Sequence, residues 1–335
     1  MADLGKDKKV LLMLCTRLAL PEGGKPFTAK EFSGFIEDIG GGVEKLGEFV
    51  GAAAAKIQKE LRVSADMASR LSALLSGDRL IDGEVERLES MRIWTLARGE
   101  EDYPSRYVER LGKTAPRVLF GSGDVSILER RGMAVVGSRN VDERGNEFAQ
   151  FLGSAGAKCG LALCSGAARG VDQASMRAAL EGGGKVAGVL ADSLVGAIRQ
   201  PETRELLEDD RLVLITPYSP DAPFSVGTAM GRNRLIYCLA DYGVVVASDA
   251  EKGGTWAGAV EALKEGWLPV FIGDYQAAPA GNRRLIGMGG IPIPNPFGDE
   301  PSSLSSWLDS KAGNRSTRPG QQELFQRQGR NRTRP

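Results

Sequence analysis

Six short apolar runs, at 133–136, 161–164, 185–190, 212–215, 243–247 and 268–272, most of them separated by helical patterns, restrict the fold of this chain more than any other feature. Apolar runs of this length fit strands buried on both faces. Buried strands alternating with helices predict an α/β fold, Rossmann-like, with a doubly wound and mostly parallel sheet. In such a sheet ligands bind beyond the carboxyl ends of the strands.

The loops at those ends repeat one chemistry. After the first run comes Gly137-Ser138-Arg139-Asn140, leading into a helical pattern. A strand that turns through Gly-Ser into a helix presents free backbone N–H groups, and with the helix dipole these form an anion site. Arg139 adds a planar, permanent charge suited to phosphate. After the second run comes Ser165-Gly166-Ala167-Ala168-Arg169-Gly170-Val171-Asp172. A long loop after 212–215 leads to Arg232-Asn233-Arg234, and 243–247 is followed by Lys252-Gly253-Gly254-Thr255-Trp256-Ala257-Gly258. Glycine and serine let a backbone approach an anion closely. Arg139, Arg169, Arg232 and Arg234 are expected to converge at one edge. Each loop also has a plain reading. The glycines serve tight turns, Asp172 and Thr255 cap helices, Trp256 belongs to the core, Lys252 is solvated, and Arg232 and Arg234 make structural ion pairs.

Absences narrow the chemistry. The chain has no histidine, which removes Ser-His-Asp and Cys-His catalysis and His-based metal sites. No GxGxxG and no GxxxxGK[ST] occurs, and Ser165 stands where a dinucleotide-binding strand would end in Asp or Glu, so neither ordinary dinucleotide binding nor P-loop hydrolysis is expected. Lysine plus arginine and aspartate plus glutamate both number 43, so any basic surface must be local. Cys15, Cys159, Cys164 and Cys238 form no CxxC pair. With no secretory or membrane-spanning segment in the sequence, they read as reduced thiols of a cytoplasmic protein.

Residues 1–90 read as a small helical domain, with a capping box at Thr28-Ala29-Lys30-Glu31 and Ser64 as an N-cap. Residues 91–296 hold the Rossmann-like domain. From 297 the chain reads as a flexible basic tail, with seven basic residues and one acidic between 311 and 335.

Taken together, Tyr103-Pro104, Ala115-Pro116 with Leu119-Phe120, Val136-Gly137-Ser138-Arg139, the run Ser165 to Asp172, Gly182-Gly183, Arg232-Asn233-Arg234, Gly253-Gly254-Thr255, and Gly281-Asn282 with Leu285-Ile286 resemble the DNA-processing protein A (DprA/Smf) family. The resemblance covers roughly residues 85–292. It implies a single-stranded DNA-binding protein without catalytic residues, metal or cofactor. Such a protein dimerises, protects the strand and hands it to a RecA-type recombinase in natural transformation. Carried onto this chain, Gly137, Ser138, Arg139, Ser165, Arg169, Arg232 and Arg234 line the phosphate pocket; the expected phosphate site as a whole adds Asn140, Gly166, Gly170, Asn233, Lys252, Gly253, Gly254, Thr255 and Asn282. A positive groove that follows a backbone is what sequence-tolerant single-strand binding needs.

The chain departs from the family pattern. Met176 replaces a usual histidine, Met230-Gly231 replaces a Phe-Pro, and a C-terminal winged-helix module gives way to the basic tail. These departures point to a divergent member, with a role in mobile-element biology or phage defence as the alternative to transformation. In the tail, Gln321-Gln322-Glu323-Leu324-Phe325 resembles the Gln-x-x-Leu-Phe peptide that docks the replication sliding clamp, with Gln321, Leu324 and Phe325 as anchors. Two alternatives use the same fold: a sensor of a small nucleotide signal, and a nucleotide phosphoribohydrolase with Glu261 as its carboxylate.

Overall fold

A computed structural model describes residues 5–21 and 24–313, and its backbone divides into two compact units. The first holds the chain up to 122, with 193–198 and 215–222; the second holds 123–192, 199–214 and the chain from 223.

The first unit begins with six helices, α1 (Lys6–Cys15), α2 (Ala29–Asp38), α3 (Val43–Gly47), α4 (Ala54–Leu61), α5 (Ala65–Leu74) and α6 (Asp78–Ser90). Leu12, Leu14, Phe32, Leu46, Ile57, Leu71 and Leu88 are fully buried between them. The caps read from sequence are present. Thr28 and Glu31 form a reciprocal capping box at α2, and the Ser64 hydroxyl accepts from the Met67 amide at α5.

This unit does not stop at 90. It takes in β1 (Trp94–Ala97), α7 (Ser105–Leu111) and β2 (Val118–Gly123) as far as Ser122. The strands pair antiparallel, with Trp94 opposite Gly121. Side chains from the helices fasten them: Lys8 Nζ donates to the Thr95 carbonyl at 2.6 Å, and the Arg117 guanidinium lies over the Phe32 ring and bonds Ser33. Such ties join residues far apart in sequence, which no local pattern reveals. A short helix, α10 (Leu194–Ile198), also belongs to this unit.

The second unit is α/β and parallel. Its strands are β3 (Gly132–Val136), β4 (Ala162–Ser165), β5 (Val186–Val189), most of β6 (Leu212–Thr216), β7 (Tyr242–Val245), β8 (Val270–Asp274) and β9 (Ile291–Pro294). The helices α8 (Glu143–Lys158), α9 (Val171–Glu181), α11 (Pro201–Glu208), α12 (Val226–Leu239), α13 (Gly253–Glu265) and α14 (Ala280–Gly287) fall between them. From β5 the order runs β5-β4-β3-β7-β8-β9, and every adjacent pair is parallel. The chain therefore winds outward from β3 through β4 and β5, then returns to place β7 on the other flank of β3. That reversal opens a crevice beyond the ends of β3 and β7.

One sequence expectation changes here. Residues 304–313, read as part of the tail, form α15 (Leu304–Gly313). Leu304 and Leu308 are fully buried, Trp307 packs against Phe271 and Phe297, and Asp309 pairs with Arg131 at 2.5 Å. The apolar residues Leu304, Trp307 and Leu308 recur at helical spacing and fall on one face. From 314 onward the expected tail, with Gln321, Leu324 and Phe325, lies outside the described residues. Among the described residues no helix is long and apolar enough to cross a membrane, and the four cysteines are unpaired.

Candidate functional site

The crevice at the strand reversal is built by three loops tied to one another by hydrogen bonds. After β3, the Ser138 amide donates to the Ala247 carbonyl at 2.9 Å, linking this turn to the end of β7. The Ser138 carbonyl accepts from the Val171 amide at the start of α9, and Thr255 Oγ donates to the Gly137 carbonyl at 2.9 Å from α13. Glycine is required where these loops touch. A Cβ on Gly137 would lie 2.5 Å from Val171 Cγ2. Gly170 has φ +87° and would bring a Cβ to 2.5 Å from the Ser138 carbonyl oxygen.

The resulting cavity has a volume of about 380 Å³. Of the residues expected at a phosphate site, Gly137, Ser138, Arg139, Arg232, Asn233, Lys252, Gly253, Gly254 and Thr255 line it together. Its wall carries the start of α13, a helix of 13 residues whose N-cap, Lys252, makes no side-chain capping bond. The first-turn amides of such a helix lack intrahelical partners and favour an anion, as its dipole does. Asn233 fixes this helix end by donating from Nδ2 to the Gly254 carbonyl at 2.9 Å.

The two cavity arginines differ in setting. Arg139 is exposed at the rim, its guanidinium 5.1 Å above the Phe224 ring. Arg232 is only 4% exposed. Its side chain crosses the β4–α9 turn so closely that a Cβ on Gly166 would lie 1.4 Å from its Nη1. Gly166 therefore does not line the cavity; it is the seat on which Arg232 rests.

Asp172 lies beside that seat, and the sequence reading of it as a helix cap missed its part. It is buried in the first turn of α9, where Gly170 holds the cap position. Its carboxylate lines the cavity and accepts the backbone amides of Gly166 and Ala168. Burial pushes its pKa up to about 6, against the opposing pull of the Arg232 charge and those two amides. Burial also raises the phenol of Tyr237, another cavity residue, and the nearby Asp172 charge adds to it.

Several expected residues sit elsewhere. Ser165 is fully buried and gives its hydroxyl proton to the Val135 carbonyl at 2.6 Å. Arg169 and Asn140 are exposed and bonded to each other at 3.0 Å, outside the cavity lining. Arg234, two residues past Arg232 on α12, does not line the cavity, since positions two apart do not share a helix face. Asn282 is 1% exposed; its Oδ1 accepts from the Ser248 amide, and its Nδ2 donates to the Val246 and Gly273 carbonyls, all within 2.9 Å. It pins the ends of β7 and β8 together and offers nothing to a ligand.

Sequence reading also missed an apolar rim. Phe224, Val226 and Met230 line the cavity and are 48%, 69% and 52% exposed. The only signal for them was the break from the family pattern at Met230. Glu261 is exposed and does not line the cavity. Among the described residues no group of three or more Cys, Asp or Glu side chains is placed to hold a metal.

The sequence model of a family described as DNA recombination-mediator protein A matches residues 94–293. The DNA processing protein DprA of Bacillus subtilis is 31% identical over 157 residues, 45% of this chain and 51% of that protein. The Smf protein of Escherichia coli is 30% identical over 187 residues, 54% of this chain and 49% of that protein. The chain thus spans about half the length of these curated relatives. The X-ray structure of DprA from Streptococcus pneumoniae superposes with a TM-score of 0.55 at 20% identity, covering 80% of this chain and 95% of that one. DNA processing protein A from Helicobacter pylori, whose structure was reported for its single-stranded DNA binding mode, superposes with a TM-score of 0.53 at 21% identity. That match covers 66% of this chain and 97% of that one.

Proposed function

This chain belongs to the DNA recombination-mediator protein A family, and from that premise we propose that its cavity grips the phosphates of single-stranded DNA in a recombination-mediator role, without catalysis. The observation that carries this reading is the meeting of Arg139, Arg232 and Lys252 with the free end of α13 in one cavity. Three elements bring these groups together, the loop after β3, α12 and the start of α13, and each of the groups suits an anion. Contacts to phosphate carry no base information, so binding tolerates any sequence. The exposed Phe224 at the rim supplies a flat apolar face for an unpaired base.

The wider reading follows the resemblance: the bound strand passes to a RecA-type recombinase, the protein acts as a homodimer, and a clamp contact runs through Gln321, Leu324 and Phe325. Glu261, the carboxylate of the hydrolase alternative, is exposed and away from the cavity, which favours binding without catalysis.

The test is a fluorescence-anisotropy titration of the full chain with a single-stranded oligonucleotide, a duplex and a mononucleotide at two ionic strengths. The single strand is expected to bind tightest, with log affinity falling by about 0.7 per phosphate neutralised for each decade of salt. Arg139→Ala should weaken binding for every sequence and reduce that salt slope by about the same 0.7. Unchanged affinity in a folded Arg139→Ala, Arg232→Ala double variant overturns the assignment.

A further inference from the structure

We propose that Asp172 couples occupancy of the cavity to the uptake of one proton from solvent, so that the site grips an anion more tightly as pH falls. The inference deepens the proposed reading and rests on it.

The geometry is a stacked arrangement. Asp172 accepts the Gly166 amide, and the Arg232 guanidinium lies against the Cα of that same Gly166. The carboxylate and the guanidinium therefore share one residue as their floor, and both face the cavity. The Arg232 charge favours the ionised form of Asp172. A phosphate bound against Arg232 brings a second negative charge to the same guanidinium. Two anions then compete for one cation in a poorly solvated place, and the one that can accept a proton does so. The balance is simple: Arg232 beside the Asp172 carboxylate, a phosphate and a proton become an Arg232–phosphate pair beside a neutral carboxylic acid.

The surrounding groups allow this. From α12, Arg232 and Tyr237 face Asp172, and the phenol stays neutral because burial raises it. From the β4–α9 turn come the amides of Gly166 and Ala168. Across the cavity stand Arg139 and Lys252, with Asp249 as the other lining carboxylate, exposed to water. Burial already holds the Asp172 carboxyl near 6, so a modest further push carries its titration across neutral pH. Histidine, the side chain that ordinarily titrates between pH 5 and 8, is absent from the chain. A pH profile in that window is thus free of the usual background.

The experiment uses the full chain and oligothymidylate, whose bases hold their charge from pH 5 to 8, at fixed ionic strength. Wild-type affinity is expected to rise by about three- to tenfold from pH 7.5 to 5.5, a tenfold gain corresponding to one pKa unit of coupling. Asp172→Asn should bind with a flat profile. Should that variant fold poorly, wild-type calorimetry at pH 6.5 in two buffers of different ionisation enthalpy reads the same quantity, and net proton uptake on binding is expected. A flat wild-type profile, no net uptake, or an undiminished slope in a folded Asp172→Asn overturns the proposal. Arg139→Ala is run alongside. If it binds as tightly as wild type, the anion is not in this cavity, and the proposed reading and the proton coupling fall together. If Arg139→Ala weakens binding but the profile is flat, the coupling alone falls.

Discussion

Replacing Gly166 with alanine should remove the Arg232 guanidinium from the cavity without altering a single charge. The Gly166 backbone is not in the left-handed region, so alanine meets no φ penalty there. The added methyl, however, would stand 1.4 Å from Arg232 Nη1 and 2.3 Å from Cζ. Non-bonded heavy atoms need about 3.5 Å, so the guanidinium must retreat by about 2 Å, far more than a hydrogen bond tolerates. A hydrogen bond to a charged group contributes about 1.5–3 kcal/mol, so affinity for single-stranded DNA should fall by about 10- to 100-fold. The assay is an anisotropy titration on wild type, Gly166→Ala, Arg232→Ala and the double variant, each confirmed folded by its melting curve. Because both substitutions remove the same guanidinium, the double variant should bind about as weakly as Arg232→Ala alone. Full additivity, or unchanged affinity in a folded Gly166→Ala, would refute the seating of Arg232 on Gly166.

Two further outcomes concern stability. Asn282→Ala should cost about 3–5 kcal/mol in urea unfolding, since it strands the Ser248 amide and the Val246 and Gly273 carbonyls in the interior; a loss under about 1 kcal/mol would mean the tie carries no load. Asp172 holds its proton more tightly folded, near 6, than at its ordinary value of 3.8, so its contribution to stability is complete below about pH 4 and is lost as pH rises through 6. The stability of wild type relative to Asp172→Asn should therefore decline by up to about 3 kcal/mol between pH 4 and 6.5, and a pH-independent difference would contradict it.

The strands, the capping box at Thr28 and the loops after β3 and β7 were legible in sequence because each is a local choice: a short apolar run, a side chain within one helical turn, a glycine at a turn. The family resemblance put Asn282 at a phosphate site, and the local reading put Asp172 at a helix cap, where the structure shows a three-bond interior tie and a buried carboxylate beneath an arginine. It also separated β1 and β2 from the helices before them and ran the tail through α15. In each case the partner lies far along the chain, as Ser33 does from Arg117 and Arg131 from Asp309.

The sequence by itself determined that the chain winds strands and helices alternately and that glycine, serine and arginine gather where strands end. Tertiary structure alone decided which arginines face the cavity. Arg232 and Arg234 are near neighbours on one helix, yet the helical repeat and the bare Cα of Gly166 give one of them a buried seat over Asp172 and turn the other away.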